Sequence, residues 1–136
     1  MKATATYSPT KWDEKPYEQI SPLMKLTKAS VEFAFHGEMD GRGLVEYLMF
    51  YKYFDESDPH KSDARYVGLI RFKGTLNGIA GSFTMEDRGT FEAGAANSVL
   101  TIIPGSGMDK LKGITGNGKY TATQKGCECE LDYELK

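Results

Sequence analysis

The sequence predicts an all-β domain spanning residues 1–136, a single closed antiparallel β-barrel of eight up-and-down strands. Three observations predict it. Apolar and polar side chains alternate with a two-residue period along most of the chain. Glycine-containing turn signals interrupt the alternation at hairpin spacing. No long helical segment separates the strands, which fall at about 3–8, 27–37, 43–53, 64–76, 79–91, 95–103, 115–123 and 127–135. A sandwich would satisfy the same pattern; closure is favoured because it leaves no exposed strand edge.

The stretch from Pro9 to Leu26 has little periodicity and reads as a long N-terminal loop, a candidate lid carrying Trp12 and Tyr17. Asp40-Gly41 reads as a two-residue turn between strands 27–37 and 43–53. That register sets Phe35 opposite Glu46, Phe33 opposite Leu48 and Val31 opposite Phe50, all facing inward. Asn77-Gly78 is the strongest hairpin signal in the chain. It pairs Leu76 with Ile79, Phe72 with Phe83 and Ile70 with Met85 on an apolar face, and Arg71 with Thr84 and Lys73 with Ser82 on a polar one. Ala93-Gly94 then pairs Met85 with Ile102 and Asp87 with Leu100. Gly105 to Lys112 reads as a single helical turn. The last strand is the clearest: Cys127, Cys129, Leu131, Tyr133 and Leu135 share one face, and Glu128, Glu130, Asp132 and Glu134 share the other.

Composition narrows the function classes. With 136 residues and 40% hydrophobic content, the chain has the means to bury a core. A net charge of −2 argues against nucleic acid or an anionic membrane as partner. No apolar run approaches a membrane helix, and the first residues lack the apolar stretch of a secretion signal, so the expected address is cytoplasmic. Cys127 and Cys129 stand one residue apart in a strand, about 6.5–7 Å between Cα atoms and at the upper limit for a disulfide. They read as buried free thiols, with redox or metal chemistry as the alternative. Neither His36 nor His60 has partners at metal or triad spacing, and no cofactor motif is present. Gly105-Ser106-Gly107 lacks the lysine that would make it a phosphate loop.

At this point the residues resemble a known family. Trp12-Asp13-Glu14-Lys15-Pro16-Tyr17 and Lys25-Leu26-Thr27-Lys28-Ala29-Ser30-Val31 look like its N-terminal motifs. Val45-Glu46-Tyr47-Leu48-Met49, Tyr66-Val67-Gly68-Leu69, Gly81-Ser82-Phe83 and Gly89-Thr90-Phe91 look like its middle. Pro104-Gly105-Ser106-Gly107, with Leu111, Gly113, Gly116 and Gly118, looks like its glycine-rich segment. Together these resemble the bacterial proteins grouped as domain of unknown function 3224, over nearly the whole chain. That group is similar to the allene-oxide-cyclase-like β-barrels, relatives of the plant dirigent proteins, which guide reactions of small apolar substrates inside a barrel. The resemblance implies a fold; it carries no catalytic residue onto this chain. Ile70 before Arg71, Glu86-Asp87 and Leu100 depart from the family's usual Glu, Gln-His and Trp at those places.

Three functions follow from a barrel of this size. The first is binding of a small apolar ligand by Trp12, Phe33, Phe35, Leu48, Phe50, Phe72, Phe83, Met85 and Leu100. The second is an isomerase or cyclase in which inward Glu46, joined by Asp87, moves a proton, since a buried carboxyl is held above its usual pKa. The third is an interaction module with a filled interior. Tyr47, Met49, Tyr51 and Tyr53 form a stripe on the expected outer face, which suits a homodimer interface.

Overall fold

The computed structural model describes residues 1–136. Nine strands make up most of the chain: β1 (Lys2–Gln19), β2 (Lys25–Gly37), β3 (Met39–Tyr53), β4 (Asp63–Leu76), β5 (Ile79–Glu92), β6 (Ala95–Ile102), β7 (Met108–Asp109), β8 (Thr115–Thr123) and β9 (Gly126–Glu134). There is no α-helix, only one 3-10 turn at Pro59–Lys61. All pairings are antiparallel, in the order β4-β3-β2-β1-β9-β8-β6-β5. Because β5 pairs back onto β4, eight strands form a ring of hydrogen bonds. The two-residue β7 takes the place of β6 beyond its end, pairing with Gly81 and Ser82.

Two turns set the registers that their sequence implies. Asn77 (φ 48°) and Gly78 (φ 83°) both lie in the left-handed region, the geometry of a hairpin turn whose twist matches its strands. Phe72 pairs with Phe83 and Ile70 with Met85, and all four are buried. Ala93 and Gly94 repeat the device, bringing Met85 opposite Ile102 and Asp87 opposite Leu100.

The Asp40-Gly41 register is different from the expected one. Both residues lie inside β3, paired with Thr75 and Gly74 of β4. The chain reverses at Gly37-Glu38 instead. There the Thr4 amide and hydroxyl donate to the Glu38 carboxylate at 2.9 and 3.0 Å, and the Glu38 amide donates to the Thr4 carbonyl. Phe35 therefore faces Gly41, Phe33 faces Gly43 and Val31 faces Val45. The glycines permit close approach rather than reversal: a Cβ on Gly41 would fall 2.3 Å from the Lys73 carbonyl oxygen, and one on Gly43 2.8 Å from the Phe35 ring. This odd-numbered slip exchanges the faces of β3. Glu46 and Leu48 point to solvent, while Tyr47, Met49 and Tyr51 are buried. Of the expected surface stripe Tyr47, Met49 and Tyr51 are therefore interior, and only Tyr53 is exposed.

The expected N-terminal loop is a strand. β1 continues through it, with register shifts between Pro9 and Lys11 and between Pro16 and Glu18. The first shift changes which residues face inward, from Ala3, Ala5 and Tyr7 to Trp12, Glu14 and Pro16. A constant two-residue period is thereby broken. The stretch also overhangs the ring: β9 pairs with β1 only as far as Thr6. Beyond it one edge of β1 is unpaired, and Pro9, Lys11, Lys15 and Pro16 are the residue types that guard such an edge. Tracing partners around the ring explains the overhang. From Ala5 the path runs through Cys129, Tyr120, Ser98, Gly89, Tyr66, Met49 and Thr27, and returns to β1 at Pro16. A closed sheet of tilted strands requires such a displacement.

The segment expected as a helical turn, Gly105 to Lys112, contains β7 between reverse turns. It places Leu111 in the core, with Ile114 following, both wholly buried. On the outer surface Lys2 lies 3.5 Å from Glu130 of the last strand.

Candidate functional site

Interior side chains change in size along the ring. Toward one end Met39, Phe72, Leu76, Phe83, Leu131 and Tyr133 fill the space, and Leu111 and Ile114 add to them. Toward the other end the inward positions of β4, β6 and β8 are Ala64, Ala96 and Ala122, and a cavity of about 320 Å³ remains. Its walls are Tyr7, Phe33, Tyr47, Met49, Tyr51, Tyr66 and Tyr120, with Pro9, Trp12, Phe54, Pro59, His60, Ser62, Phe91 and Cys127 completing the lining.

Two glycines make room for the tyrosines. A Cβ on Gly68 would lie 2.7 Å from the Tyr47 ring, and one on Gly89 would lie 2.5 Å from the Tyr66 hydroxyl. Behind this wall Asp87 is buried, with only 1% of its surface exposed. The Tyr47 hydroxyl meets its Oδ2 at 2.5 Å and the Tyr120 hydroxyl at 3.0 Å. Tyr120 donates to Tyr66 at 3.2 Å, and Tyr66 and the Ser98 hydroxyl are 2.5 Å apart.

Tyr47 donates to Asp87 Oδ2 and Tyr120 to Tyr66, so the hydroxyls form one connected network that ends on the carboxyl, whose Oδ1 is buried without a partner. Burial pushes the Asp87 pKa up, against the smaller opposing effect of the Tyr47 hydrogen bond. Burial likewise raises Tyr47, Tyr66 and Tyr120, so the phenols are neutral donors.

Glu14 of β1 makes a second polar cluster. Its Oε2 accepts from Tyr51 at 2.7 Å and from Thr27 at 2.8 Å, and its Oε1 accepts from the Trp12 indole at 3.0 Å. This clamp ties the overhanging β1 to β2 and β3. Tyr7 belongs to neither cluster: it is 6% exposed and its hydroxyl has no partner. Cys127 and Cys129 are free thiols; burial, followed by the nearby Asp87 and Glu130 charges, pushes Cys129 up to about 12. No group of three His, Cys, Asp or Glu side chains is placed to hold a metal ion.

The sequence candidates distribute unevenly. Trp12 and Phe33 line the cavity. Phe35, Phe72, Phe83, Met85 and Leu100 are buried in the core and are not part of the cavity wall. Leu48 and Phe50 lie on the other face, with Phe50 in an outer groove beside Tyr17 and Leu26. Glu46 is also outside, accepting from the Ser30 hydroxyl at 2.5 Å. Asp87 alone of the two proposed carboxylates is interior. Tyr7, Tyr66, Tyr120, Ser98 and Glu14 were not singled out from sequence. The first four stand at inward positions of correctly placed strands; Glu14 is hidden by the bulge before it.

These features define a class: an all-β protein whose closed antiparallel sheet encloses a tyrosine-walled apolar cavity. The chain belongs to the DUF3224 family, described as proteins of unknown function, whose model matches residues 3–135. A crystal structure of a DUF3224-family protein of unknown function from Shewanella oneidensis MR-1 is similar, with a TM-score of 0.75 and 21% identity, covering 100% of this chain and 97% of that one. At that identity the likeness speaks for the fold. No curated protein matches the chain. No helix is long and apolar enough to cross a membrane.

Proposed function

We propose that the protein binds a small apolar molecule in the cavity at the open end of the ring, which acts as a β-barrel in the manner of the allene-oxide-cyclase-like proteins. The observation that carries this reading is the cavity itself, about 320 Å³ and walled mainly by aromatic and aliphatic side chains. That volume lies at the lower end of small-ligand pockets. It weighs against an interaction module with a filled interior. Trp12 stands at the edge of the lining, half-exposed, where a bound molecule would cover it.

The test is titration with the apolar dye N-phenyl-1-naphthylamine, followed by its fluorescence. One saturable site is expected, lost on Ala64→Leu, which fills part of the cavity from its wall. Dye binding that Ala64→Leu leaves intact would sink the reading.

A second reading, proton transfer by an isomerase-type enzyme, draws support from Asp87. A buried carboxyl of raised pKa that accepts from a tyrosine in the wall is suited to proton transfer. In this reading Tyr47 relays the proton, and Glu46, outside the ring, has no part. Turnover of any bound enone or epoxide that survives Asp87→Asn unchanged would exclude it.

A further inference from the structure

On the outer face Leu48, Val67, Leu69 and Val99 lie between 47% and 62% exposed, on β3, β4 and β6. Lys28, Leu48, Val67 and Arg88 are paired across β2 to β5, giving an apolar row with basic ends. The adjacent row is Ser30, Glu46, Leu69 and Glu86, apolar at one position and otherwise polar or acidic. None of these four charges has an ion-pair partner within the chain. We propose that a second copy of the chain covers this face. A two-fold axis running across the strands between the rows lays Arg88 on the partner's Glu86 and Val67 on the partner's Leu69, twice over.

Sedimentation velocity at high micromolar concentration tests it. Wild type should be a dimer, Arg88→Glu a monomer, and Arg88→Glu combined with Glu86→Arg a dimer again. A monomeric wild type would overturn the proposal, as would a charge swap that fails to restore association. Either result would leave the cavity reading untouched.

Discussion

The two ends of the ring's interior are made from the same alternating strands and differ in what the inward positions hold. At the packed end aromatic rings interlock: Phe72 lies 5.7 Å from Phe35 and 5.2 Å from Phe83 between centroids. At the hollow end alanines occupy the matching positions, and the large side chains are tyrosines whose hydroxyls need partners. The difference teaches that stability and function are divided along one axis. Close packing at one end offsets the contacts forgone at the other.

The largest expected effect comes from breaking the packed end. Phe72→Ala should cost about 3–5 kcal/mol, because its ring is wholly enclosed and the cavity left behind cannot collapse. Phe91→Ala, beside a void and already part-exposed, should cost about 1 kcal/mol. Urea unfolding of both variants checks this. Equal losses would mean the interior is uniform and the division does not exist.

Next comes the polar wall of the hollow end. Tyr47→Phe removes the group that meets Asp87 and Tyr120, leaving a buried carboxyl without its partner, and should cost about 1–3 kcal/mol. Tyr51→Phe should cost less, about 1 kcal/mol, since Glu14 is half-buried and keeps its bonds to Thr27 and Trp12. If Tyr51→Phe proves the more damaging, the clamp on β1 and not the Asp87 network holds this end together.

How far the sequence reveals this division depends on the local period. Asn77-Gly78 specifies one backbone geometry, so the packed faces of β4 and β5 are legible residue by residue, and Asp87 with them. The Asp40-Gly41 signal misleads because glycine serves two needs: reversing a chain and letting another strand or ring approach. At Gly41 and Gly43 the second need governs, which only the positions of Lys73 and Phe35 reveal. One odd slip then exchanges Glu46 for Tyr47 as the inward residue. In β1 the bulge around Thr10 hides Glu14 in the same way. The cavity itself is illegible from sequence, since alanines at 64, 96 and 122 become a shared void only once β4, β6 and β8 are placed around it.

Acidity gives a third, smaller contrast between a buried and an exposed carboxyl. Asp87 has its folded pKa raised by burial, so the folded state holds that proton more tightly than the unfolded chain. Its contribution is fully present below the unfolded carboxyl range, near about 4, and is lost as pH rises through the raised folded value. Asp87→Asn keeps an oxygen that can accept from Tyr47 but cannot ionise. The variant should therefore gain stability relative to wild type as pH rises through that window, and the gain should level off above it. Glu46→Gln, on the outer face, is the control that removes a carboxyl without touching the buried network. Denaturant unfolding across pH is the measurement, and a gain that grows toward acid would contradict a raised folded pKa for Asp87.

The smallest effect on stability is the most informative about the void. Ala3 and Ala64 are each 1% exposed, one at the packed end opposite Leu131 and the other in the cavity wall. Leucine at position 3 has no space and should cost about 1–3 kcal/mol through displaced neighbours. Leucine at position 64 enters the cavity, where its added methyl groups meet Tyr66 and Phe91 without displacing them, and should change stability by less than about 1 kcal/mol. The same substitution at equal burial thus separates a filled site from an empty one. A comparable penalty at both positions would mean that the hollow end has no room for a ligand's atoms.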